Sequence, residues 1–171
     1  MTGTTGTPKV YNNFYFQGGN KFCVTFSVAS VLRSLGLKRQ AEDLVRKSED
    51  VLNDSWNTWE ASKELIMQKG MTIKNAKIKC ISDIDVNKIT VLCLCAVHSK
   101  HYTKIQYRDS THVVSVYKNK LFDANRRYPL KLTIRNLHRC CVGDHYCFHH
   151  FSRSFTIEFS ARLENIIKKC I

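Results

Sequence analysis

Nowhere in the 171 residues do eighteen apolar residues follow one another, so no helix written here has the length and greasiness of a membrane span. The opening MTGTTGTPKV lacks the charged-then-apolar grammar of a secretory signal, which sets the expectation of an intracellular protein with no membrane partner. Internal repeats and low-complexity tracts are absent too, which leaves out solenoids and tail-like segments. Acidic residues are scarce: 14 Asp+Glu stand against 27 Lys+Arg, for a net charge of +13. The shortage is sharpest between Lys100 and Arg139, where Lys100, Lys104, Arg108, Lys118, Lys120, Arg126, Arg127, Lys131, Arg135 and Arg139 face only Asp109 and Asp123. Such a surplus favours acidic substrates or nucleic acid through long-range attraction.

What is present is enough for one core, because 43% of the residues are hydrophobic. Residues 1–8 are small and unpatterned and read as a disordered lead-in, leaving 9–171 as a single domain. Eight cysteines in a reducing compartment are expected to stay mostly free thiols. The segment CVTFSVASVLRSL, Cys23 to Leu35, is apolar on nearly every side and predicts a buried helix stopped by Gly36. Helical spacing returns over Gln40 to Leu52 and Asn57 to Lys69, with Ser55 a candidate cap and Gly70 a stop. Three helices are therefore expected first. Beyond Gly70 the period changes to two, and strands are expected over Met71–Lys79, Ile89–Val97, Thr103–Tyr107, His112–Tyr117, Lys120–Ala124 and Phe155–Phe159, with a short helix at Thr133–Arg139 and a basic helix at the end. The fold class is α+β: a helical half over about 9–70 packed on an antiparallel sheet half over about 71–171.

Chemistry concentrates first in FQGGNKFCVTFS, Phe16 to Ser27. Cys23 falls at the start of the apolar helix, where unpaired N–H groups and the helix dipole favour a thiolate. Gln17 stands six positions earlier on a loop containing Gly18 and Gly19, placed to bring an amide donor beside the sulfur, where with the Cys23 N–H it would stabilise an oxyanion. A thiolate needs an imidazole partner, and His112 heads the strand HVVSVY. If Lys118-Asn119 is a two-residue turn, Val114 faces Asp123 and His112 faces Asn125, making Asn125 the directly opposed orienter and Asp123 the diagonal one. Both stay open as third member.

These residues resemble the papain-like cysteine peptidases, whose chain order is glutamine, cysteine, histidine, then Asn or Asp. The spacing of Gln17, Cys23 and Ser27 is similar to the papain signature, and the small size with HVVSVYKNKLFDAN looks more like the outlying Josephin-type deubiquitinases, bacteriocin-processing peptidases and viral proteases. The resemblance implies Cys23 as nucleophile, Gln17 as oxyanion donor, His112 as base and acid, and Asn125 or Asp123 as orienter, with no cofactor. It also implies a protein or peptide substrate, such as a polyprotein junction or a ubiquitin-like isopeptide. The chain departs from papain itself: no tryptophan follows the cysteine, Phe22 replaces the preceding glycine, and the interval from histidine to Asn or Asp is short.

Other groups read as less chemical. Cys93 and Cys95 lie in an apolar strand and are expected in the core, as are Trp56 and Trp59. His98 and His101 are alternatives to His112 but head no hairpin with an acid or amide opposite. The stretch HRCCVGDHYCFHHF gathers Cys140, Cys141, His145, Cys147, His149 and His150 without paired CxxC or HxxxH spacing, and reads as a loop rather than a zinc site. A competing function is a nucleic-acid-binding module without catalysis, in which the basic strands and Tyr102, Tyr107, Tyr117, Phe122 and Tyr128 grip phosphates and bases.

Overall fold

A computed structural model describes residues 9–11, 14–16, 22–53, 57–98, 108–141 and 146–170. The chain is α+β. A two-stranded hairpin, β1 (Lys9–Tyr11) and β2 (Phe14–Phe16), precedes three helices, α1 (Cys23–Ser34), α2 (Lys38–Leu52) and α3 (Thr58–Met67). The hairpin corrects the expectation that helices come first: three-residue strands are too short to show a period. It is tied to α1, with the Tyr15 N–H donating to Ser30 Oγ at 3.0 Å and Arg33 donating to the Tyr15 hydroxyl at 3.1 Å.

Helix α1 is buried from Val24 to Leu32 without a polar face, as its sequence requires of a helix enclosed by its neighbours. Gly36 ends it at φ 84, a left-handed conformation that a residue without Cβ adopts cheaply. The cap of α3 is Asn57, which accepts from the Glu60 N–H, in place of the expected Ser55, which lies outside the described residues. Trp59 is buried there against Phe155, ring centroids 5.2 Å apart, whereas Trp56 is outside the description.

The sheet half contains β3 (Met71–Asn75), β4 (Ile89–His98), β5 (Arg108–Tyr117), β6 (Lys120–Phe122), β7 (Leu130–Lys131) and β8 (Tyr146–Phe159), with helices α4 (Ile134–Cys140) and α5 (Ala161–Lys169). These strands form one antiparallel sheet in the order β3-β8-β4-β5-β6-β7. Strand β8 begins nine residues before the expected Phe155. Its partner β3 reaches only Phe155, with one further backbone bond from Ala76 to Ser154, so residues 146–153 pair with β4 alone, and two register shifts interrupt the alternation. A one-sided strand tolerates the polar HHFSRS sequence that hid it. Strand β3 stops at Asn75 rather than Lys79, and the chain passes into a 3₁₀ turn at Ile81–Asp83. The expected strand at 103–107 falls outside the described residues.

Both faces of the sheet are covered, where the sequence pointed to a helical part on one face or end. Val91, Cys93, Val113, Phe122 and Phe155 pack with α1, α2 and α3 in one core. Leu92, Leu94, Val114, Val116 and Leu121 form a second with Leu137 and Cys140 of α4 and Ile84. Alternate residues of β4 and β5 thus serve opposite cores, which explains why these strands read as continuous apolar runs.

Candidate active site

The N-terminal end of α1 is where the two halves meet. Cys23 is its first residue and half-buried, while the rest of the helix is anchored in the core. No side chain caps this end and no acidic residue lies in its first turn. The amide donors and the positive pole of the helix are therefore directed at whatever charge the Cys23 sulfur carries.

His112 lies in β5 and is 5% exposed. Its Nε2 is 2.6 Å from Asp123 Oδ1, a buried contact. Two features of the hairpin bring this about. Lys118 and Asn119 adopt φ 48 and φ 62, the paired left-handed conformation of a type I′ turn, and fix Tyr117 opposite Lys120 and Ser115 opposite Phe122. Pairing stops there, and Asp123 folds into its own turn, its Oδ1 accepting from the Asn125 N–H at 2.9 Å and its carbonyl from the Arg126 N–H at 2.9 Å. The carboxylate diagonal to His112 thus reaches the ring. Asn125 does not hold the directly opposed ladder position expected for it: its backbone supports Asp123 instead, because the ladder ends before it.

Besides the Asp123 carboxylate, the Cys23 thiol acts on the His112 imidazole, and both favour its charged form. With Nε2 committed to Asp123, Nδ1 is the nitrogen left to serve the sulfur. Burial disfavours the charged ring, but Asp123 and Cys23 outweigh it and raise the His112 pKa to about 10. Burial likewise opposes the Asp123 charge, and His112, the Asn125 N–H and the Cys140 thiol overcome it to hold that carboxyl below its usual range. Sulfur, imidazole and carboxylate form a line in which the middle member is protonated and each outer member stabilises it.

A further layer lies behind Asp123. Cys140, 3% exposed at the end of α4, hydrogen-bonds the carboxylate, and burial together with the Asp123 charge pushes its thiol far above the ordinary range. Arg126 Nε is 3.7 Å from Asp123 Oδ2, and its Nη2 donates to the Arg139 carbonyl near the end of α4. The sequence pointed to neither in this role: Cys140 stood only among the zinc-ligand types of the 138–151 stretch. Arg126 sits three positions after Asp123 and was visible only as charge; Cys140 comes from an element far along the chain.

Gln17, Gly18 and Gly19 lie outside the described residues, as do His101 and His145, and the His98 side chain is likewise not described. Cys93 and Cys95 are buried in β4. Of the stretch at 138–151, His138 Nδ1 accepts from the Phe148 N–H at 3.0 Å, and the Nδ1 atoms of His149 and His150 are 2.7 Å apart. Cys140 and Cys141 are buried, and the Cys141 thiol, pushed up to about 12 chiefly by burial, donates to the Leu137 carbonyl at 3.4 Å. Among the described residues no three His, Cys, Asp or Glu side chains are grouped to hold a metal ion, and no helix is long and apolar enough to cross a membrane.

Comparison with known proteins finds no match among family models, curated sequences or solved structures. The reading of this site therefore rests on its geometry.

Proposed function

We infer that the chain is a thiol hydrolase of the papain-like kind, cleaving peptide or isopeptide bonds through a covalent thioester. The observation that carries this reading is the line from Cys23 through His112 to Asp123, drawn from two distant parts of the chain and buried at its far end. In the proposed cycle the Cys23 thiolate attacks the substrate carbonyl while His112 holds the proton. The tetrahedral oxyanion is met by the Cys23 backbone N–H, and the papain-like spacing of Gln17, six positions before Cys23, assigns its amide as the second donor. Collapse breaks the C–N bond, His112 passes its proton to the leaving amine, and the acyl group stays on sulfur. The neutral imidazole then takes a proton from water, whose oxygen attacks the thioester; the C–S bond breaks to release the acid and the Cys23 thiolate beside the protonated ring. Asp123 keeps the ring oriented and supports its charge throughout.

The natural substrate in this reading is a protein, such as a polyprotein junction or a ubiquitin-like conjugate. Thiol mapping tests it. Brief iodoacetamide treatment near neutral pH is expected to modify Cys23 ahead of the exposed Cys80 and Cys170, and His112→Ala is expected to remove that preference. Labelling that follows exposure alone would refute the reading. Gln17→Ala is expected to reduce turnover about 10²- to 10³-fold without loss of folding.

A further inference from the structure

The basic surplus is not absorbed by the site. From Lys118 to Arg139 the sequence carries Lys118, Lys120, Arg126, Arg127, Lys131, Arg135 and Arg139, and its one acid, Asp123, is buried against His112. Two of these charges are organised by the sheet. Tyr117 pairs with Lys120 and Lys120 with Lys131, so the three form a row across β5, β6 and β7 on one face. Lys118 adds a fourth side chain, its Nζ 5.5 Å from the centroid of the Tyr117 ring.

Directly opposed like charges are unfavourable in an antiparallel pair. Lys120 and Lys131 are such a pair, and both are exposed, as is Lys118. No carboxylate lies within ion-pair distance of the three among the described residues. Asp85 belongs to the loop whose Val86 carbonyl takes the Lys118 N–H, but it is engaged by the Asn87 N–H at 3.0 Å. Lys88 and Lys74 nearer the other edge, by contrast, both reach Glu158.

We propose that Lys118, Lys120 and Lys131, with the Tyr117 ring among them, form a docking surface for the phosphate backbone of single-stranded nucleic acid. Lys120 and Lys131, directly opposed about 5 Å apart, with Lys118 in the adjoining turn, make a compact patch of like charge suited to a polyanion, and the half-buried Tyr117 ring lies beside them. The net charge of +13 and isoelectric point near 9.5 supply attraction at longer range. The surface is independent of the thiol chemistry. It lies at the far end of β5 from His112 and uses none of the residues assigned to the site.

The test uses the full chain and a fluorescein-labelled oligothymidylate of about 20 nucleotides, followed by anisotropy across a salt series. One variant combines Lys118→Gln, Lys120→Gln and Lys131→Gln. A second combines Lys38→Gln, Arg39→Gln and Lys47→Gln on the exposed side of α2, lowering the net charge from +13 to +10 just as the first does. The sheet-edge variant is expected to bind at least about tenfold more weakly near 50 mM salt, with the slope of log K against log salt reduced by about 2. The α2 variant and Cys23→Ala are expected to bind like the parent. Absence of binding by the parent, equal weakening in both triple variants, or equal affinity for polyglutamate of matched charge would each overturn the proposal.

Discussion

Ser27 Oγ and Ser115 Oγ lie 2.7 Å apart, both fully buried, and join α1 to β5 across 88 positions of chain. Cys23 is one helical turn before Ser27, and His112 is three residues before Ser115. The bond therefore sets the helix against the strand beside the point where sulfur meets imidazole. Ser27 also donates to the Val24 carbonyl at 3.0 Å. A hydroxyl has one proton to give, so Ser115 is the donor within the pair. Ser27→Ala then strands a buried hydroxyl at 115 and is expected to cost about 1–3 kcal/mol. Ser115→Ala leaves Ser27 its carbonyl partner and is expected to cost less, about 1 kcal/mol. The double variant should recover part of the Ser27→Ala loss. Denaturant unfolding of the three proteins decides, and equal costs for the two single variants would show that the donor assignment is mistaken.

Asp123→Asn keeps the volume beside His112 and removes the charge. In the parent, burial pushes the imidazole toward neutrality and the carboxylate and thiol overcome it, so the ring stays protonated until pH rises through about 10. Without the carboxylate the burial effect has less to oppose it, and the sign is downward: His112 is expected to lose its proton at a lower pH, narrowing the window in which it can protonate a leaving group. Titration of the ring by NMR, in parent and variant, reads the shift directly. An unchanged midpoint would mean that Asp123 does not carry the imidazolium. Turnover is expected to fall by about 10²-fold or more, since an amide still contacts the ring but supplies no charge.

How much of this was legible follows from which interactions are local. The apolar run behind Cys23 and the glycine at 36 announce α1 without help from the rest of the chain. The turn at Lys118-Asn119 lacks the Asn-Gly signature, yet the flanking alternation fixes the pairing of Tyr117 with Lys120. What alternation does not say is where a ladder ends. Extending it three residues beyond Phe122 put Asn125 opposite His112, whereas the Asx turn of Asp123 had already taken the chain out of the sheet. Residues 146–153 of β8 were hidden for a related reason, because register shifts and a one-sided position erase the period-two signal. Cys140 reaches Asp123 only after α4 has packed on the second face, a purely tertiary event.

Arg126 is expected to act as a positioning residue for Asp123. Its Nε is buried, lacks a hydrogen-bond partner and points at Oδ2 from 3.7 Å, while its Nη2 is fixed to the Arg139 carbonyl. Arg126→Met removes the counter-charge and frees the carboxylate to leave the ring, and kcat is expected to fall about tenfold with KM little changed. Arg126→Lys should recover part of the loss. A residue that merely braced the turn would lower the melting temperature and leave the His112 titration where it was. Here the midpoint is expected to drop, because losing the aligned hydrogen bond from Asp123 outweighs losing a more distant positive charge.

The type I′ turn offers the converse test, a gain of stability. Lys118 and Asn119 both occupy the left-handed region, at φ 48 and φ 62. Asparagine tolerates that region and glycine enters it freely, which makes the second position the place to relieve strain without touching the row of lysines. Asn119 also lends its carbonyl to the Leu132 N–H at 2.8 Å, a backbone contact that a substitution preserves. Asn119→Gly is therefore expected to stabilise the fold by a few tenths to about 1 kcal/mol, the lower value applying because glycine also enlarges the freedom of the unfolded chain. Asn119→Val, whose branched side chain disfavours positive φ, is expected to destabilise by more than the glycine gains. Since register in this hairpin places Asp123 beside His112, the valine variant should also lose the selective reactivity of Cys23. A valine variant that unfolds at the same denaturant concentration as the parent would show that the turn does not set the pairing.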